Sequence, residues 1–159
     1  MAFAPASLIL ANNYLPLNEA LYPQESSVLV CAEDGWVDFW SDGIPSDWNY
    51  MGCAKYQSIL IYCLLPDGQL QKVKPIPPTF NWFEKALWKV TNSSKKVVVE
   101  TSVIENESIE KFKTLLLEAV KTDDDLLTQF KSEGEIFQGI EKAVNYSDLT
   151  SLFTECGWI

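Results

Sequence analysis

The sequence predicts an α+β fold: a mostly antiparallel sheet from the N-terminal two-thirds, packed with C-terminal helices. Three observations predict it. Apolar, β-branched runs recur at 28–32, 57–65 and 97–103. The first two are followed by Asp34-Gly35 and Pro66-Asp67-Gly68, sequences that reverse a chain. After Asn106 the apolar spacing lengthens from two residues to roughly 3.6, the period of a helix. Strands first and helices last argue against alternating βαβ units.

Taken in order, Leu15 to Tyr22 fits a short helix before Pro23. Ser27 to Ala32 reads as a buried strand, and Trp36 to Ser41 alternates and should pair back on it. Residues 42–47 are loop, and 48–54 fit neither period. Tyr56 to Leu65, with Ile59, Leu60, Ile61, Tyr62 and Cys63 in a row, suits a central strand covered on both faces. The lysines of the next arm, Gln69 to Lys74, suggest an edge. Pro75, Pro77 and Pro78 make an extended connector. Thr79 is a candidate cap for a helix from Asn81 to about Val90, with Trp82, Phe83, Ala86 and Leu87 on its buried face. Asn92-Ser93-Ser94 is loop, and Lys96 to Ile104 is a further strand.

The helical part opens with one apolar stripe: Ile109, Phe112, Leu115, Leu116, Ala119 and Val120. Thr122 reads as the next N-cap, with Asp123, Asp124 and Asp125 in the first turn of a helix through Phe130 and Gly134 ending it. The acidic run lacks the alternating spacing and glycine of a calcium loop. Glu135 to Val144 places Ile136, Phe137, Ile140, Ala143 and Val144 on one side. Ser147 opens a last helix with Leu149, Leu152 and Phe153, and Gly157 is its stop. Trp158-Ile159 should pack back on the body. The expected organisation is one α+β domain over 1–159, with 106–159 as the alternative helical subdomain. Ile109 to Gly157, through Phe112, Asp124, Leu126 and Leu149, resembles the Nif11 leader-peptide family. The interval from Leu126 to Gly157 is too long for that pattern, and the front of the chain has no counterpart in it. Membership does not follow.

Composition excludes more than it identifies. The 159 residues carry a net charge of −10, and all 12 basic residues are lysine, with no arginine and no histidine. Arginine forks and a positive stripe are what grip nucleic acid, so no nucleic-acid partner is expected. Without histidine there are no Ser–His or Cys–His pairs and no imidazole zinc sites. No apolar window reaches membrane-spanning length and the first residues lack a basic signal region, so the expectation is a cytoplasmic protein with no membrane partner. Cys31, Cys53, Cys63 and Cys156 show no CxxC spacing, and buried free thiols are expected instead of a disulfide or metal. Sequons at Asn92, Asn106 and Asn145 carry no weight without a secretory signal. No cofactor motif is present.

One segment concentrates chemistry. Glu33 to Trp48 holds three tryptophans and five carboxylates. On an extended strand Trp36, Asp38 and Trp40 face one way, and Val37 and Phe39 the other. Two readings stand side by side. Trp36, Asp38, Trp40, Asp42, Asp47 and Trp48 form a partner-binding face, or the indoles pack beneath the 42–47 loop while Asp38 bonds its own backbone. The leading expectation is a non-enzymatic acidic interaction module, an inhibitor, immunity protein or chaperone-like adaptor, for a protein with a basic surface. The alternative is a small-molecule or carbohydrate-binding domain using the same region. In that case Asp38, Asp42 and Asp47 would be candidate hydrolase carboxylates.

Overall fold

The computed structural model describes residues 27–104, 108–122, 130–157 and 159. The proposed helix at 15–22, the Asp123–Asp125 turn and Trp158 lie outside these. Five strands form one antiparallel sheet: β1 (Val28–Ala32), β2 (Val37–Trp40), β4 (Ile61–Leu64), β5 (Leu70–Ile76) and β7 (Val98–Ile104), in the order β2-β1-β4-β5-β7. A two-stranded ribbon pairs β3 (Asp47–Trp48) with β6 (Lys95–Lys96). Five helices complete the described chain: α1 (Tyr50–Lys55), α2 (Trp82–Thr91), α3 (Ser108–Thr122), α4 (Glu133–Lys142) and α5 (Tyr146–Glu155). The predicted α+β class is what the chain adopts.

Period-two alternation gives the sheet two apolar faces. Leu29, Cys31, Tyr62, Leu64 and Leu70 meet Phe112, Leu116, Ile136, Ile140, Leu149 and Phe153 of the C-terminal helices. Val28, Val30, Ile61, Cys63 and Val73 meet Trp48, Cys53, Tyr56, Trp88 and Val97. β4 is third of five strands and buried throughout, so the unbroken apolar run is a central strand covered on both sides. Burying each such side chain stabilises the fold by roughly 1.5–3 kcal/mol before entropy is counted. All four cysteines are free and buried.

The β1–β2 turn needs its glycine. Gly35 has φ +89°, and a Cβ there would lie 2.6 Å from Thr122 Oγ1. Gly157, at φ +73°, follows α5 as the stop its position suggested.

Several local readings are corrected. The strand expected over 57–65 is shorter. Tyr56 closes α1, donating its amide to Gly52 O, and Ser58 N turns back to Lys55 O, so pairing begins only at Ile61. Gln69–Lys74 is not an edge: β5 pairs with β4 on one side and with all of β7 on the other. Asn81, not Thr79, caps α2, because Glu84 at the third helical position completes a reciprocal capping box. Ser132 and Glu135 do the same for α4, so Gly134 falls inside that helix instead of ending one. Thr122 is the last residue of α3, its hydroxyl donating to Glu118 O and Ala119 O. Asn145, not Ser147, caps α5 by accepting from Asp148 N at 2.9 Å. Val144 is 74% exposed, one residue beyond the α4 cap.

The largest correction concerns α2. Its supposed buried face points to solvent: Trp82 is 82% exposed, Phe83 60% and Leu87 52%, while Trp88 alone turns inward.

Lys113 is a buried cation with a clear structural task. Its ammonium donates to Glu141 O and Ala143 O, both at 3.0 Å, and to Glu110 Oε1 at 3.1 Å. It therefore satisfies carbonyls at the C-terminal end of α4, where the helix dipole is negative.

Candidate functional site

β2 places the predicted residues as alternation requires. Val37 and Phe39 pack toward the helical core, while Trp36 and Trp40 pack toward the opposite one. The turn after β2 brings Trp48 of β3 back beneath Trp40, and the end of α1 adds Tyr56. The four rings close a circuit: Trp36–Trp40 centroids are 6.1 Å apart, Trp40–Trp48 6.1 Å, Trp48–Tyr56 6.1 Å and Tyr56–Trp36 5.3 Å. Two of these contacts are edge-to-face, the arrangement aromatic quadrupoles favour. Trp48 and Tyr56 are buried, and Trp36 and Trp40 are half-buried with part of each ring at the surface.

Polar groups fix this floor. Trp48 Nε1 donates to Pro45 O at 2.8 Å. Asp38 accepts from the Phe39 amide at 2.8 Å and from Trp40 Nε1 at 3.1 Å, which holds the Trp40 ring in place. Asp34 accepts from Trp36 N and forms an ion pair with Lys55, whose ammonium also lies 4.9 Å from the Tyr56 ring centroid. The Asp34 carboxylate keeps Lys55 protonated above its usual range. Burial, reinforced by the charges of Asp34 and Asp38, raises the Tyr56 phenol. Asp42 and Asp47 are exposed at the rim, each within reach of the preceding serine hydroxyl.

The six predicted residues thus fall into three environments: Trp48 in the floor, Trp36, Asp38 and Trp40 at the boundary, Asp42 and Asp47 outside. Sequence reasoning missed Tyr56 and Lys55. Tyr56 sits in a run that reads as strand, and nothing in that run marks it as the end of a helix. It also missed the apolar face of α2, although a signal existed. Residues 70–99 carry six of the twelve lysines and a single carboxylate, Glu84, in an otherwise acidic chain.

Among the described residues no group of histidine, cysteine, aspartate or glutamate side chains could hold a metal ion, and no helix is long and apolar enough to cross a membrane. Comparison with known protein families, curated proteins and solved structures finds no match to this chain.

Proposed function

We propose that this protein is a non-enzymatic interaction module that receives a basic partner, an extended lysine- or arginine-bearing segment, at the Trp36–Trp48 edge. One observation carries the reading: the molecule already holds a lysine in the way proposed. Lys55 sits between the Asp34 carboxylate and the Tyr56 ring. In the same ring circuit Trp36 and Trp40 are half-buried, and the exposed Asp42 and Asp47 lie in the segment that joins Trp40 to Trp48. Indole faces attract cations by roughly 0.5–2 kcal/mol, and rim carboxylates speed association in a salt-dependent way.

The alternative, a carbohydrate or small-molecule site with catalytic carboxylates, draws less support. Trp48 is 7% exposed and cannot offer a stacking face, and both oxygens of Asp38 are already engaged.

The test is titration with a lysine-rich peptide, read by calorimetry and tryptophan emission. Trp40→Ala should weaken binding by at least ~2 kcal/mol if the ring is an anchor. Because Trp40 braces Trp36 and Trp48, the same change will lower stability, so Trp40→Phe serves as the folded control. Asp42→Asn should mainly slow association. A folded Trp40→Ala variant that binds as the wild type does would mark this edge as idle surface.

A further inference from the structure

A second surface lies on α2, independent of the tryptophan edge. Trp82, Ala86 and Val90 recur every fourth residue, with Phe83 and Leu87 alongside, so five apolar side chains form one stripe along the helix. Trp82 and Val90 are more than 80% exposed, and Trp88 on the opposite side is the helix's only buried residue. Amphipathic helices normally turn such a stripe inward. Here the sequence directs it outward, at the expense of leaving a tryptophan and a phenylalanine in water.

The surroundings say what chemistry would cover it. Lys85 and Lys89 are exposed on one flank. On the other, a groove of about 270 Å³ runs beside Leu87, lined by Phe80 and Trp88 and by the polar residues Glu84, Thr91, Ser93 and Lys95. The one carboxylate present, Glu84, is turned back onto the Asn81 amide at 3.1 Å as part of the helix cap. On a chain of net charge −10 this is a basic-rimmed apolar face.

We infer that the α2 face docks an acidic amphipathic helix of another protein. The partner's apolar residues would cover the Trp82–Val90 stripe and fill the groove, and its flanking carboxylates would meet Lys85, Lys89 and Lys95. A second copy pairing through the same face is a poorer fit, since it would set Lys85 and Lys89 of one copy against the same lysines of the other. A flat anionic membrane would leave the groove beside Leu87 unfilled.

The experiment uses the full chain and a synthetic amphipathic helix of about 15 residues, near the length at which isolated helices begin to hold. Its leucines lie on one face with glutamates on the flanks. Binding should shift the emission of the exposed tryptophan to the blue. It should weaken at least ~10-fold in the Lys85→Glu/Lys89→Glu variant through charge repulsion. It should be lost in Leu87→Glu, with Leu87→Ala as the milder variant should the first misfold. Failure to bind overturns the proposal. Equal binding of a peptide with lysines in place of the glutamates does so too, because apolar contact alone would then suffice. Two other outcomes overturn it in favour of a different occupant: sedimentation with phosphatidylserine vesicles, or self-association in ultracentrifugation, either one abolished by Leu87→Glu.

Discussion

Lys113→Met isolates the electrostatic task of one buried side chain. Methionine keeps most of the stem volume, so the packing of the 8%-exposed residue changes little while the ammonium disappears. Two carbonyls at the end of α4, Glu141 O and Ala143 O, lose their donor. A hydrogen bond from a charged donor contributes ~1.5–3 kcal/mol, and a cation at a helix C-terminus in a partly buried setting up to ~2 kcal/mol. The Glu110 partner is 64% exposed and adds under ~0.5 kcal/mol. Removing the cost of burying the ammonium offsets part of this, leaving a loss of about 2–3 kcal/mol. At roughly 2–4 °C per kcal/mol for a chain of this size, Tm should fall by about 4–12 °C. Thermal and urea unfolding followed by far-UV circular dichroism measures it, with Glu110→Gln as the near-neutral control. A Lys113→Met protein melting within ~1 °C of wild type would refute the assignment, since α4 would then end as securely without the cation.

Three further outcomes follow from the core. Ile61→Asp places a carboxylate at the fully buried first residue of β4 and should cost several kcal/mol, enough to abolish the unfolding transition; an unchanged Tm would remove Ile61 from the core. Gly35→Ala forces a Cβ onto a left-handed residue and against Thr122 Oγ1, and should cost at least ~1 kcal/mol in urea unfolding; a neutral result would mean the β1–β2 turn relaxes freely. Burial, assisted by the Asp34 charge, pushes the Cys31 thiol from 9.0 up to about 12, and burial pushes Cys63 up as well. Above pH 9 the unfolded chain therefore ionises these thiols while the folded chain keeps its protons. Stability should fall as pH rises from 9 toward 12, by up to ~1.4 kcal/mol per pH unit per thiol. The fall should be shallower in Cys31→Ala, and an identical slope would refute the coupling.

Much of the fold was legible because its signals are local. Val28–Ala32, Asp34-Gly35 and the alternation from Val37 to Trp40 specify a hairpin by their own chemistry, and Phe112, Leu116 and Val120 mark a helix face without help from the rest. Periodicity reports that a stripe exists but not which way it points, which is why Trp82 and Leu87 were expected inside. Trp88, off that stripe, is the residue that anchors α2. The edge expected at Lys72 and Lys74 depended on a strand that arrives only after α2. For the candidate site, alternation correctly grouped Trp36 with Trp40 and set Val37 and Phe39 opposite. The depth of each ring depended on where Tyr56 and Trp48 return in space, which no local pattern encodes.

The pairing of β5 with β7 has a dynamic consequence. Its register runs from Leu70↔Ile104 to Ile76↔Val98, so the two strands are the arms of one long hairpin whose connection, 77–97, contains the whole of α2. Closing about twenty residues instead of a two-residue turn costs on the order of 2 kcal/mol. The connection is held by Trp88, which packs against Tyr50 and Phe80 and donates to Ser93 O, by Met51 N donating to Asn92 Oδ1, and by the β3–β6 ribbon. With a single buried side chain, α2 is expected to open before β5 and β7 separate, a sub-global step below the free energy of unfolding the sheet. Its amides should exchange with solvent ahead of those in β4 and β5. Anything that settles on α2 would register first as slowed exchange in that one segment.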